Sequence, residues 1–149
     1  MTATGHAIVG TVIAAKLGNP ALAIPIAVLS HIPCDLFPHW DSGTNGKNKS
    51  STRLFFEAVI DVLLGFVLSY FLIVLFFPST SLIYAFIMII AAQGFDYVTA
   101  PYYMFHQHYF PFSMFYKWQK AWNIRLDKPW GIINQAAILI ALVIVVKIF

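Results

Sequence analysis

The chain predicts an all-α fold: a polytopic membrane helix bundle of about five apolar helices, in two hairpins plus a final helix, with an aromatic interfacial layer. Three observations carry this. Of the 149 residues, 60% are hydrophobic and only 10% charged, against about 25% charged in an average soluble domain. The stretch from Val62 to Phe95 contains no charged residue. Proline and glycine breaks cut the apolar sequence into segments close to spanning length. There are too few polar residues to cover a water-soluble globule. The same composition excludes disorder, a coiled coil and a nucleic-acid-binding arm. The length suits a single integral-membrane domain, residues 1–149.

The first apolar segment covers about 5–17. It is short of the roughly 20 residues that a spanning helix needs, so it is either partly inserted or packed inside the bundle. No basic residue precedes it, unlike a secretory leader, so it is expected to be retained. Gly18-Asn19-Pro20 is a strong turn signal, and the second segment follows at about 21–37. Residues 41–53 form a polar loop. The third and fourth segments, about 54–77 and 81–98, are separated by Pro78-Ser79-Thr80 and read as a hairpin. Residues 99–129 are too aromatic for a solvated loop and too broken by Pro101 and Pro111 for one helix. With Lys117, Lys120, Arg125 and Lys128 among the aromatics, they suit headgroup depth. The last segment covers about 130–146, with Pro129 fitting its first turn. Period-two alternation is too rare for a barrel.

Basic residues set the sidedness. Loop 41–53 carries Lys47, Lys49 and Arg53, and the aromatic layer carries the four just named. The opposite side has only Lys16 and Lys147. This predicts a multipass protein of the cell (inner) membrane with both loops and the N-terminus cytoplasmic. The net charge of +3 then reflects flanks facing anionic lipid, with no nucleic-acid partner. A single cysteine, Cys34, excludes an internal disulfide and a Cys-rich zinc module.

Polar residues inside this frame converge. His6 lies 13 positions before Asn19, and residue 32 lies 13 after it, so His6 is level with His31 across the first hairpin. Asp61 lies 18 positions before Ser79, and residue 97 lies 18 after it, so Asp61 is level with Asp96. His31 with Asp35, and Glu57 with Asp61, are spaced i,i+4 on one helix face. Gln135 enters the last segment from the same side. Ionisable groups in apolar helices cost about 2.5–3.5 kcal/mol each at the helix centre. Four carboxylates converging without a Lys or Arg in the helices are either protonated or compensated by a cation. Two imidazoles with several carboxylates suit Zn²⁺, Mn²⁺ or Fe²⁺. His106 and His108, spaced i,i+2, point apart on a helix and suit an interfacial role. No nucleophile elbow and no phosphate-binding glycine loop is present.

These residues also fall in a pattern. His6-x3-Gly10 and Leu29-Ser30-His31-x3-Asp35-x2-Pro38-His39-Trp40-Asp41, with Asp61, Asp96 and Gly131-x3-Gln135, resemble the LexA-regulated membrane-bound metal-dependent hydrolase-like family along most of the chain. The resemblance implies a metal-dependent hydrolase in the membrane. Two departures matter. Pro33 removes a backbone hydrogen bond inside the His31–Asp35 turn. Trp122 stands near where similar proteins often carry a histidine before an asparagine such as Asn123.

The expected activity is hydrolysis of an ester or phosphoester, including a lipid one, by metal-activated water near the cytoplasmic interface. His6, His31, Asp35, Asp61 and Asp96 are the candidate metal ligands, with Zn first and Mn or Fe as alternatives. Glu57 and Asp61 are the candidate acid–base residues. His39, Asp41 and Gln135 are candidates for outer support or substrate contact, and Lys47 and Lys49 for the phosphate. The alternatives are a non-catalytic protein that binds or passes a divalent cation, a structural partner subunit, and a haem site on His6 and His31. Neighbouring carboxylates disfavour haem.

Overall fold

Helix starts follow side-chain caps. Thr2 accepts from Gly5 N at 3.0 Å and opens α1, Ala3–Lys16. Asn19 accepts from Ala21 N at 3.0 Å and opens α2, Pro20–Leu36. Ser50 opens α3, Ser51–Phe76, and Ser81 opens α4, Leu82–Ala92, each accepting a backbone N–H with its hydroxyl. Such caps satisfy donors that the first helical turn cannot. α5 (Gly94–Met104), α6 (Phe112–Trp122) and α7 (Trp130–Ile148) complete the chain. The computed structural model describes residues 1–149 and contains no β-strand beyond an isolated bridge between His39 and Arg125.

The all-α expectation holds, with three corrections. First, the fourth segment is not one helix over 81–98. It bends by 49° between α4 and α5. Gln93 sits at the break and donates to the Ala3 carbonyl at 2.8 Å, while Tyr97 donates to its Oε1. A side chain committed to α1, followed by Gly94, a weak helix former, explains the interruption. α5 then runs on to Met104, into the stretch expected to be interfacial. Second, α3 begins at Ser51, inside the expected polar loop 41–53, because Ser50 caps it there. Third, two helices, α3 and α7, are long and apolar enough to cross a membrane, or three if the bent pair α4–α5 is one span. That is fewer than the five expected. α2 is apolar but has only 17 residues.

α1 has 14 residues, nine of them buried, among them Gly5, Ala7, Gly10 and Ala14. It is the centre of the bundle, packed chiefly on α3 and α4. Small side chains let helix backbones approach where the surroundings are apolar. At Gly10 an added Cβ would lie 2.7 Å from the Met88 carbonyl oxygen of α4. α3 meets α1 with a narrow buried stripe, Gly65, Ser69 and Ile73. Its large apolar residues, including Leu63, Leu64 and Val67, face outward, as do Ile140 and Ile144 of α7. Small residues inside and large apolar ones outside fit a lipid-facing bundle.

The segment after α6 returns to the end of α2. Ile124 N donates to Asp35 O at 2.9 Å, His39 N to Ile124 O at 3.1 Å, and Leu126 N to His39 O at 2.7 Å. These bonds hold residues 35–41 against 123–126.

Candidate metal site

Three helices bring one ligand each. His6 comes from the second turn of α1, His31 from the late turns of α2, and Asp96 from the first turn of α5 beyond the bend. Their ligand atoms all lie within 4.8 Å of one another, so the cluster could hold a metal ion. The His6 and His31 rings stack at 3.7 Å with 9° between planes. Asp35 reaches both, 3.2 Å from His6 Nε2 and 3.3 Å from His31 Nε2. α2 continues through Pro33, and the His31–Asp35 pair still converges.

The donor chemistry fits a cation. His31 Nδ1 lies 2.9 Å from the Ala92 carbonyl, and His39 Nδ1 lies 2.7 Å from the Phe37 carbonyl. A carbonyl only accepts, so in both rings Nδ1 carries the proton and Nε2 presents its lone pair toward Asp35. Backbone-oriented imidazoles of this kind are the usual arrangement around a metal. Both His6 nitrogens and Asp35 Oδ2 are buried without a hydrogen-bond partner. Each such orphan costs about 1–3 kcal/mol, and a bound cation would satisfy the His6 nitrogen that coordinates it. The Met1 amino group also sits here, paired with Asp35 Oδ1 and 2.6 Å from His39 Nε2.

A tetrahedral shell with bonds of about 2.0–2.1 Å separates its ligands by about 3.3–3.4 Å. Within the cluster, the His31 Nε2–Asp96 Oδ1 separation of 3.5 Å is close to that edge.

Of the remaining expected site residues, Asp61 lies elsewhere on the same wall. Its oxygens accept from Ala3 N at 2.7 Å and Thr4 N at 3.1 Å, and its carbonyl accepts from the Thr4 hydroxyl. It therefore completes the start of α1. Glu57 is held by Lys49 at 2.7 Å and Arg53 at 2.8 Å and does not line the cavity described below. Gln135 accepts from Thr2 N and Thr2 Oγ1 at 3.3 and 3.4 Å, anchoring α7 to the start of α1. His39 is buried and lies 3.7 Å from Asp35 and 3.8 Å from Asp41. Asp41 accepts from Arg125 Nε at 2.9 Å and Asn123 Nδ2 at 3.3 Å. Burial alone would raise the Asp41 carboxyl, but the Arg125 guanidinium beside it holds it well below the usual carboxylate range. The convergence of carboxylates is thus smaller than the spacing suggested: Glu57 is paired with Lys49 and Arg53, and Asp61 with backbone N–H groups of α1.

A cavity of about 1080 Å³ opens above the cluster. Asp96 connects the two, with 29% of its side chain exposed. α3 and α5 supply an apolar wall, including Leu54, Val62 and Met104. The loop and the 117–127 region supply Lys47, Lys49, Lys120 and Arg125. His106 lies at its edge, outside any helix and with φ 53°, which disposes of the i,i+2 helix geometry considered for it.

Three participants have no sequence signal. Gln119, Thr99 and Arg125 enter through contacts across 20 to 88 positions. Trp122 contributes no ligand; its ring packs edge-on against Phe95, and Nε1 is buried without a partner. No family model, curated protein or solved structure matches the chain.

Proposed function

We propose that this is a membrane-embedded metal-dependent hydrolase of the LexA-regulated hydrolase-like kind, acting on an ester or phosphoester, with a lipid as the natural source. The observation that carries the proposal is the His6–His31–Asp96 cluster, with its orphaned buried nitrogens, opening through Asp96 onto a large cavity. Of the residues behind the resemblance, His6, His31, Asp35 and Asp96 lie together, whereas Asp61 and Gln135 bind the start of α1.

In this reading His6, His31 and Asp96 hold the ion, and Asp35, whose oxygens face both Nε2 atoms, adds negative charge beside it. A divalent ion bound there supplies Lewis acidity and a water acidified toward neutral pH. Zn is the first candidate for two imidazoles with carboxylates, and Mn or Fe follow. Asp61, on the cavity wall, is the remaining acid–base candidate, since Glu57 is occupied by two cations. Lys120 and Lys47 favour an anionic substrate headgroup, and the α3–α5 wall favours its apolar part. The bundle is proposed to span the membrane with more than its two or three long helices, α1 sheltered inside it. The cavity faces the cytoplasm, because the basic flanks lie there.

The test is metal content. The full chain, purified in detergent and reconstituted with Zn²⁺, Mn²⁺ or Fe²⁺, should hold about one equivalent by mass spectrometry. His31→Ala should lose it. No metal in the unaltered protein would overturn the reading, and hydrolysis of phosphoester lipids would then not be expected. Metal retained at full content in His31→Ala would remove the ligand assignment.

A further inference from the structure

We infer that Gln119 is a further ligand of the same ion, through its amide oxygen, and that α6 thereby closes the site. This rests on the metal reading above. Gln119 is 4% exposed on the aromatic, basic helix α6, its amide directed into the cluster. Its Nε2 lies 3.2 Å from His31 Nε2 and 2.9 Å from Asp96 Oδ1. The amide head therefore sits next to two of the three clustered ligands, at separations close to the edge of a tetrahedral shell.

The amide faces the cluster with nitrogen. That is what the Asp96 oxygen and the His31 lone pair require when no cation lies between them. With a cation in place, an N–H would point at positive charge. A half-turn of the amide exchanges N and O without moving any other heavy atom. Thr99 makes that turn inexpensive. Its single hydroxyl proton lies within reach of two acceptors, Gln119 Oε1 at 2.9 Å and Phe95 O at 2.9 Å. In the present orientation the proton goes to Gln119. After the turn it goes to Phe95 O, and the Thr99 oxygen accepts from Nε2. Both orientations leave the amide and the hydroxyl satisfied, so the side chain serves the empty and the loaded site alike.

The ligand is a divalent cation, and the donor is a neutral oxygen. The set of two imidazoles, one carboxylate and one amide oxygen then has four members from α1, α2, α5 and α6.

The experiment is a Co²⁺ titration of the detergent-purified full chain, read by visible absorption, with Zn²⁺ competition for affinity. Gln119→Leu should weaken binding by more than the about 10–100-fold that losing an outer-shell partner costs, and change the Co²⁺ spectrum. Gln119→Glu keeps an oxygen and should bind at least as tightly as the unaltered chain. Unchanged affinity and spectrum in Gln119→Leu, with binding lost in His31→Ala, would overturn the role of Gln119 while leaving the metal site standing. If Gln119→Leu does not fold, Gln119→Glu decides: binding more than tenfold weaker than wild type would overturn the assignment. No Co²⁺ bound by the unaltered chain would overturn both readings.

Discussion

Gly10→Ala tests how the bundle places the site. Gly10 lies one turn after His6 on α1, and its missing side chain faces Met88 on α4. A methyl built there would sit 2.7 Å from the Met88 carbonyl oxygen and 3.1 Å from Ala92 Cβ, where ordinary contact begins at 3.4 Å. The nearest obstacle is backbone, so no rotamer change relieves it, and the two helices must part by several tenths of an ångström. Overpacking of this kind costs about 1–3 kcal/mol. The separation also opens the site. His6 moves with α1, while His31 stays tied to Ala92 O of α4 at 2.9 Å. Gly18→Ala is the control, because nothing lies within 4 Å of its added methyl; it should be neutral or stabilising by up to about 1 kcal/mol. Thermal unfolding in detergent, with and without Zn²⁺, measures both effects. Gly10→Ala should melt earlier and gain less from Zn²⁺ than Gly18→Ala. Equal melting and equal metal stabilisation in the two variants would refute the argument that α1–α4 contact distance sets the site.

Other outcomes follow from the same geometry. Asp61→Ala removes the acceptor for two N–H groups at the start of α1 and should cost about 0.5–2 kcal/mol, with metal stoichiometry unchanged; a lost equivalent by mass spectrometry would make Asp61 a ligand instead. Glu57→Gln should leave any phosphoesterase activity within a few-fold, because Lys49 and Arg53 already hold the carboxylate; a collapse in kcat with unaltered KM would restore it as a base. Arg125→Ala strips a charged hydrogen bond from buried Asp41 and should cost about 1.5–3 kcal/mol, read from the melting temperature. The pH dependence has a definite sign. Asp41 is held below its ordinary pKa in the folded chain, so its contribution is complete above about pH 4 and is lost as pH falls toward the depressed value. Melting temperatures between pH 6 and pH 3 should therefore fall less steeply in Arg125→Ala than in the unaltered protein.

Much of the site's composition is legible in the chain. Hairpin level-matching pairs His6 with His31 from two turn positions alone, because helical rise is uniform and Gly18-Asn19-Pro20 marks the reversal. The structure stacks these two rings. The same arithmetic pairs Asp61 with Asp96, and both line one cavity. Equal depth, however, does not fix azimuth. Asp61 turns to the α1 backbone while Asp96 turns to His31. The bend at Gln93, absent from a helix drawn straight over 81–98, is what gives Asp96 its direction. Gly131 shows the complementary case: a motif glycine whose reason appears only in three dimensions, since a Cβ there would collide with the Leu126 carbonyl oxygen.

Apolar content, turn residues and the spacing of ionisable groups determined by themselves that the chain is helical, apolar enough for a membrane, and polar at one depth. These are properties of composition and of local backbone geometry, and each is set within a window of one helix or one turn. Which carboxylates stay free was decided only by the tertiary structure. Arg125 reaches Asp41 across 84 positions, and Gln119 reaches His31 across 88. Pairing of charges and completion of a ligand shell depend on side chains from helices remote in sequence. Their relative rotation is set by packing, here by the glycines and alanines of a buried α1, and no local pattern encodes it.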